Sequence, residues 1–244
     1  PYSIVIGNSL DMTTVVLTGV MQDTTIQLVP TDTLTYFITS LSDANSCNAT
    51  NLGDSTTFNV NPLPVVTIAG DAAYCVGTDS ARVTFTLTTG DSPFKVLFTR
   101  NTGTGAVLDS LENITSPFVL AELISDTTTY TLVSVTDANG CENAAAGSVE
   151  VQVHELPVAN LSGDADFCLN ETANIAIDFV AGNAPYNIVI GNSLDMTTVV
   201  LTGVMQDTTI QLIPADTLTY FITSLSDANS CDAINLGDSA TFNV

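Results

Sequence analysis

The first sixty residues of this chain are written a second time at its end. Pro1–Val60 and Pro185–Val244 differ only at Ser3/Asn187, Val29/Ile213, Thr31/Ala215, Asn48/Asp232, Thr50/Ile234 and Thr56/Ala240. A diverged copy lies between them. Ser92-Pro93-Phe94-Lys95-Val96 matches Ala184-Pro185-Tyr186-Asn187-Ile188, and Thr129-Tyr130-Thr131-Leu132 through Asp137-Ala138-Asn139-Gly140-Cys141 matches Thr219 through Cys231. Leu63-Pro64-Val65 and Gly70 to Cys75 match Leu156-Pro157-Val158 and Gly163 to Cys168. The unit is about 92 residues, so the chain is an array of small units rather than one large core. The near-identity of the outer copies implies that a pair of units was duplicated as a block.

Proline marks the joints. Asn61-Pro62-Leu63-Pro64 and His154-Glu155-Leu156-Pro157 are short and stiff, because proline fixes φ and removes a donor. The expected division is 1–61 (the C-terminal two-thirds of a first unit), 62–154 and 155–244. The opening Pro1-Tyr2-Ser3-Ile4-Val5 has neither the basic start nor the cleavage site of a signal peptide. It reads as mid-strand, the expectation for a segment of a longer polypeptide.

Within a unit the pattern is that of strands. Ile175, Ile177 and Phe179 alternate onto one face of Ala173–Phe179. Tyr186–Ile190, Thr197–Val204, Thr208–Ile213, Leu218–Leu225 and Ala240–Val244 are β-branched or aromatic runs separated by turn-forming residues. No helical period is sustained. Six or seven short strands in such a unit predict an all-β fold: tandem immunoglobulin-like antiparallel sandwiches in a rod-like array. Tyr36, Tyr130 and Tyr220 stand where a tyrosine corner would open the penultimate strand, its hydroxyl reaching back to backbone. The core tryptophan of antibody domains is missing, since the chain has none.

Charge removes several functions. Lys+Arg number 3 against 26 Asp+Glu, for a formal net charge of −23. A phosphate backbone or an anionic membrane surface must be met by clustered cations, and Arg82, Lys95 and Arg100 are too few. No apolar run of about 20 residues offers a membrane span. A hydrophobic fraction of 45% is ample for packed cores.

The five cysteines divide by repeat position. Cys75 and Cys168 fall early in their units; Cys47, Cys141 and Cys231 follow the Asp-Ala-Asn turn. One early and one late cysteine per unit predicts bridges Cys75–Cys141 and Cys168–Cys231, with the partner of Cys47 outside the segment. Free buried thiols are the alternative. Such bridges imply an oxidising, extracellular compartment and would each contribute about 3–5 kcal/mol. Zinc lacks the ligands: two cysteines per unit and one histidine in the chain cannot make a four-ligand site.

Catalytic constellations are absent from the sequence. His154 is the one histidine and lies in a joint, so neither a Ser–His–Asp nor a Cys–His arrangement can be assembled, and no Gly-rich phosphate loop occurs. Carboxylates scattered over repeated turns argue against glycoside hydrolysis. The expectation is that the chain is not an enzyme. Calcium is the ion these oxygens suit, with Asp43, Asp137 and Asp227 opening equivalent turns and Asp71 and Asp164 just past the joints. The same Asp-x-Asn pattern is ordinary turn chemistry, in which the side chain bonds its own backbone. Intramolecular Lys–Asn isopeptide bonds cannot be general, since the third unit has no lysine. Asp followed by Ser or Thr recurs before Thr33, Ser80, Thr217 and Ser239, either opening turns or carrying O-glycans.

The Asn61-Pro62-Leu63-Pro64 joint, the Gly70–Cys75 stretch and the run from Thr129 to Cys141 resemble the Ig-like (PKD-like) repeats of giant surface proteins of Bacteroidota, among them gliding-motility adhesins of the SprB type. The resemblance covers the whole chain. It implies export by type IX secretion, display at the cell surface in adhesive or appendage-forming filaments, and O-glycosylation at the Asp-Ser/Thr sites. Ser46 and Ser230 replace the usual Gly, so a different turn geometry is expected in the outer units.

Two functions follow as expectations. The chain is shaft, giving reach to a surface adhesin or filament; or it is a binding module whose inter-strand loops recognise a glycan or protein. The loop residues Asn45, Ser46, Thr50 and Asn51 are small and polar, unlike most recognition surfaces, which favours shaft. A mean hydropathy of +0.36 adds a third expectation, lateral assembly of copies into a multi-chain fibre.

Overall fold

The computed structural model describes all of residues 1–244 except Thr78, Asp79, Asp164, Ala165, Phe167, Met196, Thr197, Thr198 and Val244. Among the described residues there is no helix, and every sheet draws its strands from one repeat.

The second unit is complete. β5 (Val65–Gly70), β7 (Ala81–Thr89) and β10 (Phe118–Glu122) make one sheet. The opposing sheet runs β6 (Ala73–Cys75), β13 (Ser148–His154), β11 (Thr128–Thr136), β8 (Phe94–Asn101) and β9 (Ala106–Ile114), with β12 (Glu142–Ala144) pairing to β11. All pairings are antiparallel except that of β6 with β13. Period-two alternation explains the core. Ala81, Val83, Phe85 and Leu87 point inward from β7 and meet Val96, Phe98, Tyr130 and Val151 from the facing sheet. Each large side chain so buried contributes about 1.5–3 kcal/mol.

The third unit repeats this plan. β14 (Val158–Gly163), β15 (Ala173–Ala181) and β18 (Thr208–Leu212) face β17 (Val199–Val204), β16 (Tyr186–Asn192), β19 (Leu218–Ser226) and β20 (Ser239–Phe242). Ile175 and Ile177 of β15 pack on Ile188, Ile190, Ile222 and Phe242. The parallel edge pairing also recurs, as an isolated bridge between Asp166 and Asn243. Two facing antiparallel sheets with a strand that crosses from one to the other make the second and third units immunoglobulin-like sandwiches.

The first unit is one sheet only. β1 (Tyr2–Asn8), β2 (Val15–Val20), β3 (Leu34–Ser42) and β4 (Ser55–Phe58) pair in the order β2-β1-β3-β4, the same order as β17-β16-β19-β20. No second sheet faces it among the described residues. Phe58 is therefore 45% exposed where its counterpart Phe242 is fully buried. Thr24–Leu28 carries the sequence of β18 but is not a strand, because nothing stands where β15 would pair with it.

Three expectations change. Tyr130 does sit buried near the start of β11, but its hydroxyl donates to Glu122 Oε1 and not to backbone. Burial first, and then this hydrogen bond to a carboxylate, holds the phenol well above its usual range. Glu122 in turn receives Arg100 Nη1 at 2.6 Å, and Arg100 also binds Asp109 at 2.7 Å. The turn geometry of the outer units is not different: Ser46 (φ 62°) and Ser230 (φ 60°) adopt the left-handed conformation that Gly140 (φ 78°) adopts. The hydrogen bonds of the preceding aspartate over-determine the turn, so an L-residue accepts a conformation costing about 1–2 kcal/mol. The third change concerns the cysteines.

Candidate functional site: a covalent staple across the second joint

Each unit has two ends, a head and a foot, and at the second joint the foot of the second unit meets the head of the third. The head is built by the turn between the first two long strands and by the loop after the penultimate strand. In the third unit Asp227 organises it. Its Oδ1 accepts N–H groups from Asn229 (2.9 Å) and Cys231 (3.1 Å), and its Oδ2 accepts the N–H of Asn183 (3.0 Å). Ala228 N–H returns a bond to Asn183 O at 2.9 Å. Asp137 does the same in the second unit, accepting from Asn139, Cys141 and Asp91. Asp43 accepts from Asn45 and Cys47, both at 2.9 Å.

The joint proline lies against this head. Pro157 is buried, and a Cβ on Gly182 (φ +93°) would approach Pro157 Cα to 2.8 Å. Gly90 (φ +85°) holds the same place beside Pro64, whose carbonyl also accepts Asn143 Nδ2 at 3.0 Å. Only glycine tolerates both the left-handed backbone and the close approach. The two joints thus share one mode of seating.

The foot carries the early cysteine. β6 runs parallel to the end of β13, with Cys75 opposite His154, and Val76 N–H donates to His154 O at 3.0 Å. Cys75 therefore lies where the second unit hands over to the third. There it is joined to Cys231, with a Cα–Cα distance of 5.7 Å, and Cys231 is fully buried. The bond crosses the joint.

The predicted bridges Cys75–Cys141 and Cys168–Cys231 are accordingly corrected. Cys141 and Cys168 are free, as is Cys47. The reason is geometric. β13 is seven residues long and separates the foot, at Cys75, from the head, at Cys141. At about 3.3 Å per residue that is roughly 23 Å, whereas a disulfide requires Cα atoms within about 7 Å. Repeat alignment identifies equivalent cysteines; it does not say that members of one unit lie at opposite ends.

The carboxylates proposed for calcium have other work. Asp43, Asp137 and Asp227 are occupied by backbone N–H groups, and Asp71 Oδ2 accepts Arg82 N–H at 2.9 Å. No group of three or more His, Cys, Asp or Glu among the described residues could hold a metal ion, and Asp164 lies outside those residues. Of the candidate glycan positions, Thr33, Thr217 and Ser239 are exposed and Ser80 is half-buried. Thr33 Oγ1 accepts Val60 N–H at 3.0 Å.

A pH dependence follows from the turns. Burial pushes the Asp137 carboxyl up, but the N–H groups of Asp91, Cys141 and Asn139 outweigh it and hold the group below the usual aspartate range. The N–H groups of Cys47 and Asn45 lower Asp43 likewise. A depressed folded-state value means stability that is complete above the unfolded value of about 3.9 and lost as pH falls below it. Asp137→Asn is expected to lower the urea midpoint at pH 7 and to flatten its fall between pH 5 and pH 2. A variant whose acid limb kept the parent slope would refute this assignment.

No family model matches the chain, and no curated protein matches it. Solved structures do. Over 87% of its length the chain is similar, at 14% identity and a TM-score of 0.45, to the N-terminal eight Ig domains of Down syndrome cell adhesion molecule isoform 1.30.30. It spans 31% of that chain. It is also similar to a 1.5-MDa bacterial ice-binding adhesin structure (9% identity, TM-score 0.34, 76% of this chain and 67% of that one). A third is the BSP domain of a biofilm-associated protein (12% identity, TM-score 0.27, 87% and 42%).

Proposed function

We propose that this chain is a stretch of shaft in a long extracellular adhesin or surface filament, of the kind that its resemblance to Bacteroidota surface repeats implies. The carrying observation is the Cys75–Cys231 bond, which ties the foot of one unit to the head of the next. A module that binds through its head loops needs those loops free to adapt; here the head loop of the third unit is cross-linked through the fully buried Cys231. A spacer benefits from the same arrangement, because a fixed joint converts added units into added reach. The bond also favours an oxidising exterior over the cytosol.

Two measurements test this together. Small-angle scattering of the chain, with and without a reductant, is expected to give a longer and narrower distance distribution with the bond intact. Glycan arrays and cell-surface binding assays are expected to give no saturable signal. Saturable binding that disappears when Asn45, Ser46, Thr50 and Asn51 are changed to alanine would replace the shaft reading with the binding-module reading.

A further inference from the structure

The cores of the second and third units are built from apolar side chains of the same kind, with one cluster excepted. Val83, Phe85 and Val96 of one stand for Ile175, Ile177 and Ile188 of the other. Cores tolerate such apolar exchanges by repacking, so these positions do little to tell one unit's strands from the other's. The pairing registers locate the exception. Ala81 opposes Glu122 where Ala173 opposes Leu212, and Phe98 opposes Asp109 where Ile190 opposes Val199. Arg100 opposes Tyr130 where Asn192 opposes Tyr220. The second unit thus has Arg100, Asp109 and Glu122 where the third has Asn192, Val199 and Leu212.

The cluster sits where the two halves of a sandwich close on each other. Arg100 and Asp109 belong to the β8–β9 hairpin, and Glu122 and Tyr130 to the β10 and β11 strands that follow it. Arg100 binds both carboxylates, Tyr130 donates its hydroxyl to Glu122, and the guanidinium carbon lies 5.7 Å from the centre of the Phe98 ring. Arg100 Nε is buried and has no hydrogen-bond partner among the described residues. Taking Glu122 away would therefore leave a partly desolvated cation without its closest counter-charge. In the other direction, the third unit contains no lysine or arginine, so Glu122 seated there would meet no cation. Adjacent units present their strands to one another at high effective concentration across a short joint, and misassembly between neighbours is a characteristic failure of repeat chains. The near-identical first and third units are not neighbours; a diverged unit stands between them.

We infer that Arg100, Asp109 and Glu122 determine which halves close on each other, and so keep the second unit from exchanging strands with the third. A hybrid in which β18 and β19 close over β7, β8 and β9 sets Arg100 against Leu212 and Tyr220, and the unpaired cation disfavours it. The converse hybrid, with β10 and β11 closing over β15, β16 and β17, sets Glu122 beside Asn192 and Val199, and the unpaired carboxylate disfavours that too. One charged cluster in one of two neighbours discriminates in both directions, so the third unit needs no charges of its own at these positions. The inference holds whether or not the array serves as a shaft.

The test is refolding of the whole chain carrying Thr84→Cys, Val119→Cys and Thr209→Cys as reporters. Thr84 of β7 opposes Val119 of β10, and Thr209 of β18 opposes Ala176, the counterpart of Thr84. Correct closure links position 84 to 119; hybrid closure links 84 to 209. The chain is unfolded in urea and reductant, refolded at high dilution, oxidised and mapped by peptide mass spectrometry. Arg100→Asn, Asp109→Val and Glu122→Leu together give the second unit the third unit's residues, and are expected to raise the 84–209 link roughly tenfold over the reporter chain. Asn192→Arg, Val199→Asp and Leu212→Glu together give the third unit the second unit's residues, and are expected to raise the same link although they add ion pairs. A purely stabilising cluster would move the two variants in opposite directions. If the first variant does not refold, the second alone decides. Linkage at the level of the reporter chain in either variant that refolds overturns the inference.

Discussion

Pulled from its two ends, the oxidised chain is expected to come up roughly 500 Å short. Force applied at the termini enters the second unit, reaches Cys75 and passes through the sulfur–sulfur bond to Cys231, bypassing the polypeptide between them. That bypassed stretch spans a sequence separation of 156 residues. At about 3.3–3.6 Å per extended residue it would otherwise release roughly 510–560 Å. Single-molecule force spectroscopy of the parent should therefore show only the length outside the loop, and Cys75→Ser should restore the remainder as additional unfolding steps. Equal contour lengths would mean that the bond does not form in the folded protein. Closing so long a loop also stabilises the pair of units by about 5 kcal/mol in the chain-entropy description. That energy belongs to the two sandwiches jointly, so their melting should merge into one transition with the bond and separate without it.

The second large effect uses the chain as its own control. Phe242 is fully buried, meets Tyr220 edge-on at 5.4 Å, and belongs to the third unit's core. Phe242→Ala should cost about 3–5 kcal/mol, the usual loss for deleting a buried aromatic ring. Phe58 has the same neighbours in sequence and the same edge contact, to Tyr36 at 5.6 Å, yet 45% of it is exposed. Phe58→Ala should cost about 1 kcal/mol, little more than the aromatic pair. Native-state hydrogen exchange, read at the amides of β19 and β3, separates the two. Comparable losses at both positions would show that the first unit's face is already covered in solution.

Most of the architecture was legible because it rests on period-two patterning. Ala173–Phe179, Tyr186–Ile190, Leu218–Leu225 and the proline joints stand out from spacing alone, and β15, β16 and β19 occupy them. β14 was not singled out, since Val158-Ala159-Asn160-Leu161 is short and its small residues give a weak signal. The bridge pattern failed for a different reason. Repetition assigns each cysteine to a position in its unit, but direction along the unit depends on β6 running parallel to β13, a tertiary pairing that no local spacing encodes. The same holds for the aspartates. Their spacing suits either an ion or a turn, and only the placement of the Asn183 and Asp91 N–H groups from a distant strand connection decides in favour of the turn. Seating of Pro157 on Gly182 was equally invisible, although a glycine two residues before Ala184-Pro185 was the available hint.

The Cys75–Cys231 bond also changes what a single backbone break can do. Between those residues the polypeptide is a closed circuit, so a peptidase that cuts once inside it leaves both fragments attached. Integrity of this pair of units after a cut would then depend less on resisting cleavage than on keeping the surroundings free of reductant.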